Sequence, residues 1–392
     1  MTPAARYAGA IDVLDRMEDG VTAERALKAW GRENRYAGSK DRAAVRDHVF
    51  SVLRQKRSAA FAGGGGSARA LVLGLLRLQG IDPNKVFGAG GYAPAALTDL
   101  DADMPSEPAP EAVQMDLPDW LWTVWQADLG EAAIQSAIAL KSRGPISLRV
   151  NLRRGTPDAA IAALAQDGVI ATRTANSKTA LQVTENERRI ATSAAYLNGI
   201  VELQDLASQQ AIAAMDTSAA YKILDYCAGG GGKALALVDI SDAQVYAHDI
   251  APERMVDLGP RADRAGVTVK TIGTQEISQH GPFDIVFCDA PCSGSGTWRR
   301  TPEAKWVMTE EKLREFNGLQ GEVIQNGAHH VGPSGTLVYA TCSVLKAENH
   351  DVVERFLSNA SDWTCVVQNQ RLPDALGDGF YFAILQRGEN NL

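Results

Sequence analysis

The carboxyl-terminal half of the chain alternates short apolar runs with longer segments in which apolar residues recur at helical spacing. The short runs predict strands at 222–226, 244–248, 268–272, 284–288 and 336–340, with two more near 363–368 and 379–386. The longer segments predict helices at 205–216, 232–239, 252–265, 309–328 and 346–358. Strands that alternate with helices form mostly parallel sheets. We therefore predict an α/β domain with a seven-stranded sheet over residues 201–392.

The amino-terminal part of the chain has a helical pattern instead. Residues 3–57 carry apolar residues at helical spacing on either side of a polar loop at 34–40. A glycine run, Gly63–Gly66, then interrupts the pattern. We predict an all-α domain over residues 1–87, followed by a connection at 88–118 that is rich in Gly, Pro, Ala and Asp.

A third pattern lies between these two regions. After a tryptophan-rich helix, the segment 146–154 alternates apolar and polar residues and predicts a strand with basic side chains on one face. Together with a helix at 157–166 and two extended segments, it predicts a small α+β subdomain over residues 119–200. Arg149 on this strand is placed either to contact phosphate groups or to lie on a solvated face, and its position in the pattern favours neither.

Composition is that of a soluble globular protein. The chain has 392 residues, of which 45% are hydrophobic and 22% are charged, and this length suits two or three domains. No apolar run approaches the ~20 residues that cross a bilayer. No signal peptide is recognisable, so we expect a cytoplasmic protein without a membrane partner. The five cysteines lack the spacing of a zinc site, which favours free thiols and no metal.

Charge is distributed unevenly along the chain. The net charge of −8 argues against a protein that simply coats nucleic acid. Residues 1–58 nevertheless hold 12 Lys or Arg against 8 Asp or Glu, so a basic end precedes an acidic body. This arrangement fits a localised contact with a polyanion, and it fits a solvated helical face equally well.

Three short motifs follow predicted strands and therefore meet at one edge of the sheet. They are Asp225–Lys233 (Asp-Tyr-Cys-Ala followed by four glycines and Lys), Asp289–Gly294 (Asp-Ala-Pro-Cys-Ser-Gly) and Ala340–Ser343 (Ala-Thr-Cys-Ser). Ligands of open α/β sheets bind at the carboxyl ends of the strands. We therefore predict that the three motifs form one site.

The first motif has the features of a nucleotide-binding loop. The run Gly229–Gly232 lets the backbone approach a bulky ligand and turn sharply into a helix. Asp249 ends the next strand 17 residues later, near the ~20-residue spacing at which an acidic residue binds ribose hydroxyls. A triphosphate is disfavoured because Lys233 is followed by Ala234 rather than by the Ser or Thr of a Walker motif. The loop alone leaves a nicotinamide dinucleotide possible.

The other two motifs each supply a cysteine. Cys292 and Cys342 both lie just past the end of a strand, so we expect both to face one pocket. A thiolate that adds to carbon 6 of a pyrimidine makes carbon 5 nucleophilic, and a second group then assists release of the methylated product. Asp289 is placed to contact the pyrimidine or the methyl donor. Lys233 is placed to polarise the base or merely to begin a helix.

These motifs resemble those of the Sun-type (RsmB-like) RNA cytosine-5 methyltransferases. Further similar segments are Gln204–Gln209, Arg299–Trp306 and Gly377–Tyr381. Leu148–Asn151 is similar to the flank that precedes the catalytic domain of this family, and residues 39–54 resemble the helical NusB-type RNA-binding domain of some members. The resemblance covers nearly the whole chain and is most specific over 204–382.

The resemblance implies a Rossmann-like methyltransferase domain that binds S-adenosyl-L-methionine. It implies that Cys342 is the nucleophile, that Cys292 assists product release, and that Asp289 and Lys233 contact the target base. The partner would be RNA, with small-subunit ribosomal RNA as the expected substrate, and we expect a monomer. The implied cofactor-binding residues are Cys227, Ala228, Gly229, Gly230, Gly231, Gly232, Lys233, Asp249, Thr274 and Asp289. RNA contacts are predicted at Arg149, Arg299 and Arg300.

Two positions depart from the pattern of the family. Gly230 stands where the cofactor loop usually has a proline, which predicts a more flexible loop and weaker cofactor binding. Thr274 stands where an acidic residue usually contacts the adenine side of the cofactor. Neither departure removes a residue that is implied in the chemistry.

Two other functions remain open. In a DNA cytosine-5 methyltransferase, Cys292 would be the nucleophile, but the Thr-Cys motif at Cys342 and the basic helical region count against this function. An RNA-binding ribosome-assembly factor with a decayed cofactor loop would explain the departures at Gly230 and Thr274. It would not explain why Asp289 is present together with both cysteines.

Overall fold

The chain forms two compact units in a computed structural model that describes residues 1–18, 20–101, 107–175 and 177–388. The first unit comprises Met1–Arg143 and Trp298–Val307, and the second comprises Gly144–Thr297 and Met308–Leu392. A short segment from the predicted α/β region, 298–307, thus belongs to the helical unit. The predicted domain limits at residues 87, 118 and 200 remain a prediction.

The first unit is helical, as the apolar spacing predicts. Its core buries Val13, Trp30, Val45 and Leu73 from successive helices. The described part of this unit contains α1 (Pro3–Glu18), α2 (Ala23–Glu33), α3 (Ser39–Arg54), α4 (Lys56–Gly63), α5 (Ala68–Leu78), α6 (Glu111–Gln114), α7 (Asp119–Leu129) and α8 (Ala133–Leu140). No single helix among the described residues has the length and apolarity to span a membrane. The pair α4 and α5 has them only when the two helices are taken together, and the pair is bent by 94° at the break between them.

The carboxyl-terminal end of the predicted connection 88–118 forms hydrogen bonds and an ion pair within this helical unit. Asp116 is completely buried, and its carboxylate accepts hydrogen bonds from the backbone N–H groups of Arg57 and Ser58, both at 2.9 Å. Lys141 lies 3.1 Å from the same carboxylate. Residues 102–106 of the predicted connection lie outside the described residues.

The second unit begins with a small antiparallel sheet, as predicted for the α+β region. Its strands are β1 (Ile146–Val150), β2 (Ile170–Arg173), β3 (Ala180–Glu185) and β4 (Val201–Leu203), in the spatial order β2-β3-β1-β4. The helices α9 (Pro157–Gln166) and α10 (Ala194–Leu197) accompany it. Strand β4 was not predicted, because a three-residue strand is too short to show a periodic pattern.

The rest of the second unit is built on the predicted seven-stranded sheet. Its strands are β5 (Lys222–Asp225), β6 (Gln244–Ala247), β7 (Lys270–Thr271), β8 (Phe283–Asp289), β9 (Val331–Thr341), β10 (Trp363–Arg371) and β11 (Phe380–Arg387). The spatial order is β10-β11-β9-β8-β5-β6-β7. Strands β5 to β9 pair in parallel, whereas β11 runs antiparallel to both of its neighbours. The predicted fold class is therefore confirmed.

The helices of this region follow the predicted alternation, except that the predicted helices 252–265 and 346–358 each begin with a 3-10 turn and two short helices were not predicted. The helices are α11 (Leu206–Ala213), α12 (Gly232–Ile240), α13 (Leu258–Ala265), α14 (Ile277–His280), α15 (Ala304–Val307, in the first unit), α16 (Glu310–His329) and α17 (His350–Asn359). The predicted helix 252–265 is instead a 3-10 turn, Pro252–Met255, followed by α13. Pro260 explains the difference, because proline has no N–H to donate and fits an α-helix only in its first turn.

The strand register places the carboxyl ends of the central strands side by side. Asp289 at the end of β8 pairs with Ala340 near the end of β9. On the other side, Asp225 at the end of β5 pairs with Ala247 at the end of β6. The three sequence motifs therefore leave the sheet at one edge.

Candidate active site

The two cysteines of the strand-end motifs lie next to each other. Cys342 directly follows β9, and Cys292 lies three residues after β8, in the loop beside it. Their Sγ atoms are 3.4 Å apart, a distance at which one thiol donates a hydrogen bond to the other sulfur. Both side chains are half-buried. The expectation that both face one pocket agrees with this placement.

The surroundings of the two cysteines shift the pKa values of their thiols in opposite directions. The hydrogen bond from Cys292 lowers the pKa of Cys342 against the effects of burial and of the charge of Asp289, and the charge of Lys233 and the hydroxyl of Thr297 lower it further. The same hydrogen bond, burial and the charge of Glu348 raise the pKa of Cys292 well above its ordinary value. The arrangement therefore favours a thiolate at Cys342 and a thiol at Cys292.

A glycine-rich turn holds the Cys292 loop close to Cys342. Gly294 has a φ of +71°, which favours glycine, and a Cβ there would lie 3.9 Å from the Sγ of Cys342. The backbone N–H of Gly296 donates to the carbonyl oxygen of Cys342 at 2.9 Å. Thr297 Oγ1 lies 3.9 Å from the Sγ of Cys342. The loop is thus tied to the backbone and the side chain of Cys342.

Lys233 and Asp289 form an ion pair beside the cysteines. Their Nζ and Oδ2 atoms are 2.5 Å apart, and the Lys233 ammonium lies 5.5 Å from the centre of the Phe380 ring. Burial lowers the pKa of Lys233, but the charge and hydrogen bond of Asp289 outweigh this effect and raise it. Lys233 therefore stays charged, and its charge also stabilises the thiolate of Cys342.

The predicted cofactor loop, residues 227–232, is held by backbone hydrogen bonds. Ala228 N–H donates to the carbonyl of His248 at 2.8 Å, and Gly229 N–H donates to Oδ2 of Asp249 at 2.9 Å. The guanidinium of Arg261 donates to the carbonyl of Gly230. The greater flexibility predicted for Gly230 is therefore opposed by contacts that the sequence pattern does not reveal.

Gly231 in this loop cannot be replaced by a larger residue without strain. Gly231 has a φ of +78°, and a Cβ at this position would lie 2.2 Å from the Cδ1 atom of Leu258. The backbone conformation and the close approach of Leu258 both require glycine. The loop is followed immediately by α12, which begins at Gly232.

The charges at this edge of the sheet suit a cationic ligand better than an anionic one. Asp225 is completely buried, and within the described chain neither of its oxygens makes a full hydrogen bond, although the N–H of Ala234 lies near enough to favour its ionised form. Burial raises the pKa of Asp225 to about 7, and the charges of Asp289 and Asp249 add to the effect. Three neighbouring carboxylates would repel a phosphate and attract a positively charged nucleoside derivative.

Asp249, predicted to bind ribose hydroxyls, lies at the end of β6. Its side chain is buried, and it accepts hydrogen bonds from the N–H groups of Gly229 at 2.9 Å and Ala251 at 3.0 Å. Arg254 lies 3.3 Å from its Oδ2 atom. Asp249 thus joins the cofactor loop to the next strand whether or not it also contacts a ligand.

Thr274, the second of the two departures from the family pattern, follows β7 and is bound to a histidine. His248 Nδ1 lies 2.7 Å from the carbonyl oxygen of Tyr226, which only accepts, so Nδ1 carries a hydrogen. Its Nε2 atom lies 2.9 Å from Oγ1 of Thr274. In the neutral ring Nε2 accepts, and the Thr274 hydroxyl donates to it. The hydroxyl oxygen then keeps acceptor capacity for a ligand.

The arginines predicted to contact RNA occupy different environments. Arg149 is buried and forms an ion pair with Asp239, which favours an internal role over contact with phosphate. Arg299 is also buried, and its carbonyl accepts a hydrogen bond from Nε of Arg54 at 2.7 Å within the first unit. Arg300 is exposed. Of the three, Arg300 has the accessibility that a phosphate contact requires.

Some residues of this region escaped the sequence-based prediction of the site. Asp225 was named only as the start of a motif, and His248 was not named. Glu348, which the prediction placed only within the helix 346–358, is completely buried and accepts hydrogen bonds from the residues that follow both cysteines. A charged residue in an otherwise apolar strand-end position is the signal that points to Asp225 and His248. Among the described residues, no cluster of three or more His, Cys, Asp or Glu side chains is arranged to hold a metal.

Two family models match the chain. The model described as 16S rRNA methyltransferase RsmB/F matches residues 212–386, and the ferredoxin-like domain of RsmF/B-like methyltransferases matches residues 117–188. A curated relative, Ribosomal RNA small subunit methyltransferase B of Photorhabdus laumondii subsp. laumondii, is 31% identical over 284 residues. That stretch is 69% of this chain and 66% of the relative, so the chain spans just under two thirds of the relative's length.

Solved structures share the fold. The crystal structure of PH0851 is similar to the chain with a TM-score of 0.77 and 21% identity, and the match covers 99% of both chains. The crystal structure of NSun6 from Pyrococcus horikoshii with SFG has a TM-score of 0.60 and 15% identity, over 70% of this chain and 99% of the other. At these identities the structural likeness establishes the fold alone.

Proposed function

Since the chain belongs to the RsmB/F family of methyltransferases, we propose that it methylates carbon 5 of a cytosine in small-subunit ribosomal RNA and uses S-adenosyl-L-methionine as the methyl donor. The observation that carries this proposal is the pair of cysteines whose Sγ atoms lie 3.4 Å apart at the edge of the sheet. Methyl transfer to carbon 5 uses a thiolate that adds to carbon 6 and a second group that assists its release, and two adjacent thiols supply both.

Cys342 is the nucleophile in this proposal. The surroundings lower the pKa of its thiol, so it presents the thiolate that adds to carbon 6 of the base. Addition places negative charge on the ring, and the charged Lys233 beside Asp289 is the group available to stabilise it. S-adenosyl-L-methionine supplies, when bound, an activated methyl group for carbon 5.

Cys292 assists the last step. After methylation carbon 5 still carries its proton, which is lost to solvent water. The electron pair of that C–H bond forms the double bond between carbons 5 and 6, and the electron pair of the bond between carbon 6 and Cys342 returns to the sulfur. The S–H group of Cys292, 3.4 Å away, donates a hydrogen bond to that sulfur and so favours its departure. This role requires a thiol at Cys292, in agreement with the raised pKa of this residue.

The cofactor is assigned to the loop 227–232 and the carboxylates around it. S-adenosyl-L-methionine carries positive charge on its sulfonium and amino groups, which fits the buried Asp225 and its acidic neighbours. Asp249 and Thr274 follow the next two strands, and in this proposal they contact the ribose and the adenine. The proposed RNA-contacting residue with an accessible side chain is Arg300.

The experiment that tests the proposal follows covalent capture of RNA. Wild type, Cys292→Ala and Cys342→Ala are mixed with S-adenosyl-L-methionine and ribosomal RNA from cells that lack the protein, and denaturing gels detect RNA joined to protein. We expect an adduct to accumulate with Cys292→Ala, because breakdown of the covalent intermediate is slowed. Cys342→Ala should form no adduct and transfer no methyl group.

The matched control is Cys365→Ala, which removes a half-buried thiol on β10, outside the strand-end motifs. It should behave as wild type. An adduct that survives the loss of Cys342 but not of Cys292 would contradict the assignment and indicate the arrangement of DNA cytosine-5 methyltransferases. A wild-type protein that binds no cofactor and transfers no methyl group would instead support the ribosome-assembly function.

A further inference from the structure

A buried carboxylate connects the loops that carry the two cysteines. Glu348 lies in the 3-10 turn Lys346–Glu348, between β9 and α17, and it is completely buried. Its Oε1 atom accepts from the backbone N–H of Ser293 at 2.7 Å and from Nε2 of Gln320 at 3.0 Å. Its Oε2 atom accepts from the hydroxyls of Ser293 and, at 2.5 Å, Ser343.

The partners of Glu348 are the immediate neighbours of the reactive residues. Ser293 follows Cys292, and Ser343 follows Cys342. One carboxylate group therefore binds the residue after each cysteine, and the two loops leave different strands of the sheet. The distance between the two sulfurs depends on the relative position of these loops.

Other contacts hold Glu348 itself in place. The hydroxyl of Tyr339, on β9, donates to the backbone carbonyl of Glu348 at 2.7 Å. Gln320, on α16, donates both to Glu348 and, at 2.9 Å, to the carbonyl of Pro291, one residue before Cys292. The carboxylate is thus supported by two packed elements and has little freedom to follow a moving loop.

The contacts of the Glu348 side chain suit a group that only accepts hydrogen bonds. The groups around the carboxylate are a backbone N–H, an amide NH₂ and two hydroxyls, and each of them donates to it. A carboxylate only accepts, so an ionised Glu348 satisfies every one of these donors. That charge lies on the Cys292 side of the sulfur pair, where it raises the pKa of this thiol.

We propose that Glu348 is a positioning residue that holds the Cys292 and Cys342 loops in register and keeps the proton of the sulfur pair on Cys292. The proposal rests on the proposed function, because it explains how two adjacent cysteines keep different roles. The other titratable groups that face the pair are Tyr339 from β9, and Lys233 and Asp289 from the other side of Cys342. None of them contacts both loops in the way that Glu348 does.

The first test measures thiol reactivity without RNA or methyl donor, so it does not depend on the methyltransferase activity. The rate of alkylation of Cys292 by iodoacetamide is measured from pH 6 to 10 by peptide mass spectrometry in a Cys342→Ser background. Adding Glu348→Gln keeps the size of the side chain and removes its charge. We expect about tenfold faster alkylation of Cys292 near neutral pH, because loss of the neighbouring negative charge lowers the pKa of this thiol.

The matched control for the charge is Glu315→Gln, an exposed position on α16. It should leave the alkylation profile of Cys292 unchanged. Cys288 provides an internal control, because it is completely buried and reacts only when the core loosens. An unchanged profile in Glu348→Gln would overturn the proposal, and so would equal acceleration at Cys288, which would indicate general loss of packing.

A second variant distinguishes the effect of Glu348 on the positions of the two loops from the effect of its charge. It also tests the proposal if Glu348→Gln does not fold. Ser343→Ala removes one hydrogen bond to Glu348 and leaves the carboxylate in place. The rate at which diamide, a thiol oxidant, cross-links Cys292 to Cys342 reports how close the two loops are. We expect this rate to fall severalfold in Ser343→Ala while the alkylation of Cys292 is not accelerated. An unchanged cross-linking rate would contradict the positioning role.

Discussion

The Nζ atom of Lys233 lies 2.5 Å from Oδ2 of Asp289, and this ion pair stands next to the thiol of Cys342. The lysine comes from the first residues of α12, and the aspartate ends β8. A positive charge from the helix and a negative charge from the strand thus lie together at the edge of the sheet, beside the cysteines. Removing either one leaves the other partly buried and unbalanced.

Substitution of Lys233 should impair catalysis. We expect Lys233→Met to lower methyl transfer about 100-fold or more, because a charge that stabilises both the thiolate and the attacked base is lost. The pKa of Cys342 should rise in this variant, since the positive charge that lowers it is gone. The measurements are single-turnover methylation and alkylation of Cys342 against pH. Lys222→Met, on β5 before the site, is the control, and equal loss in both variants would contradict the prediction.

The two cysteines should differ in reactivity in the wild-type protein. Cys342 has a lowered pKa and Cys292 a raised one, so iodoacetamide should alkylate Cys342 first and at lower pH. We expect Cys342 to react at least tenfold faster near neutral pH. Peptide mass spectrometry after brief labelling measures both rates in one sample. Preferential labelling of Cys292 would reverse the assigned roles.

Asp225 should make stability depend on pH. Burial raises its pKa to about 7, above the value in the unfolded chain, so between about pH 4 and 7 the folded protein holds a proton that the unfolded chain has released. The free energy of unfolding therefore falls as pH rises through this window. Asp225→Asn should remove up to about 1.4 kcal/mol of this fall per pH unit.

Urea unfolding at several pH values between 4.5 and 7.5 measures the effect of Asp225→Asn. The control is Asp263→Asn, an exposed position on α13, which should keep the pH dependence of the wild type. A slope that stays the same in Asp225→Asn would show that this carboxyl group does not titrate in the window. The cofactor has to be absent, because a bound cation would favour the ionised form.

Gly231 and Gly318 should respond in opposite ways to alanine. Gly231→Ala places a side chain at a φ of +78° and within 2.2 Å of Leu258, which should cost about 2 kcal/mol or more. Gly318 lies inside α16 and nothing approaches its Cβ position within 4 Å. Gly318→Ala should therefore stabilise the protein by about 0.5 to 1 kcal/mol. Thermal unfolding of both variants measures the contrast, and two changes of the same sign would refute it.

Arg149 should matter for stability and not for RNA affinity. Its buried ion pair with Asp239 means that Arg149→Leu leaves a carboxylate buried without its partner, at a cost of about 3 kcal/mol or more. The double variant Arg149→Leu with Asp239→Leu should recover much of this loss. Urea unfolding measures stability, and filter binding of ribosomal RNA at a temperature where all variants are folded measures affinity. Weaker RNA binding without loss of stability would contradict this and support the prediction that Arg149 contacts phosphate.

Much of the fold follows from local patterns. The seven strands and the alternation with helices are encoded in apolar spacing, which each segment carries by itself, and the confirmed fold class rests on it. The ends of the strands could also be predicted, and this was enough to bring Asp289, Cys292 and Cys342 to one edge of the sheet. The predicted helix 252–265 was wrong in its first half, where prolines limit the helix to Leu258–Ala265.

The contacts that govern reactivity were decided only by the tertiary structure. The 3.4 Å between the sulfurs, the carboxylate of Glu348 behind them and the hydrogen bond from Thr274 to His248 join residues far apart in the chain. The burial of Arg149 was also decided by the tertiary structure, because its partner Asp239 lies on α12, far from β1 in the sequence. Periodicity reports which face of an element is apolar. It carries no information about which polar group packing brings opposite another, and pKa values depend on that pairing.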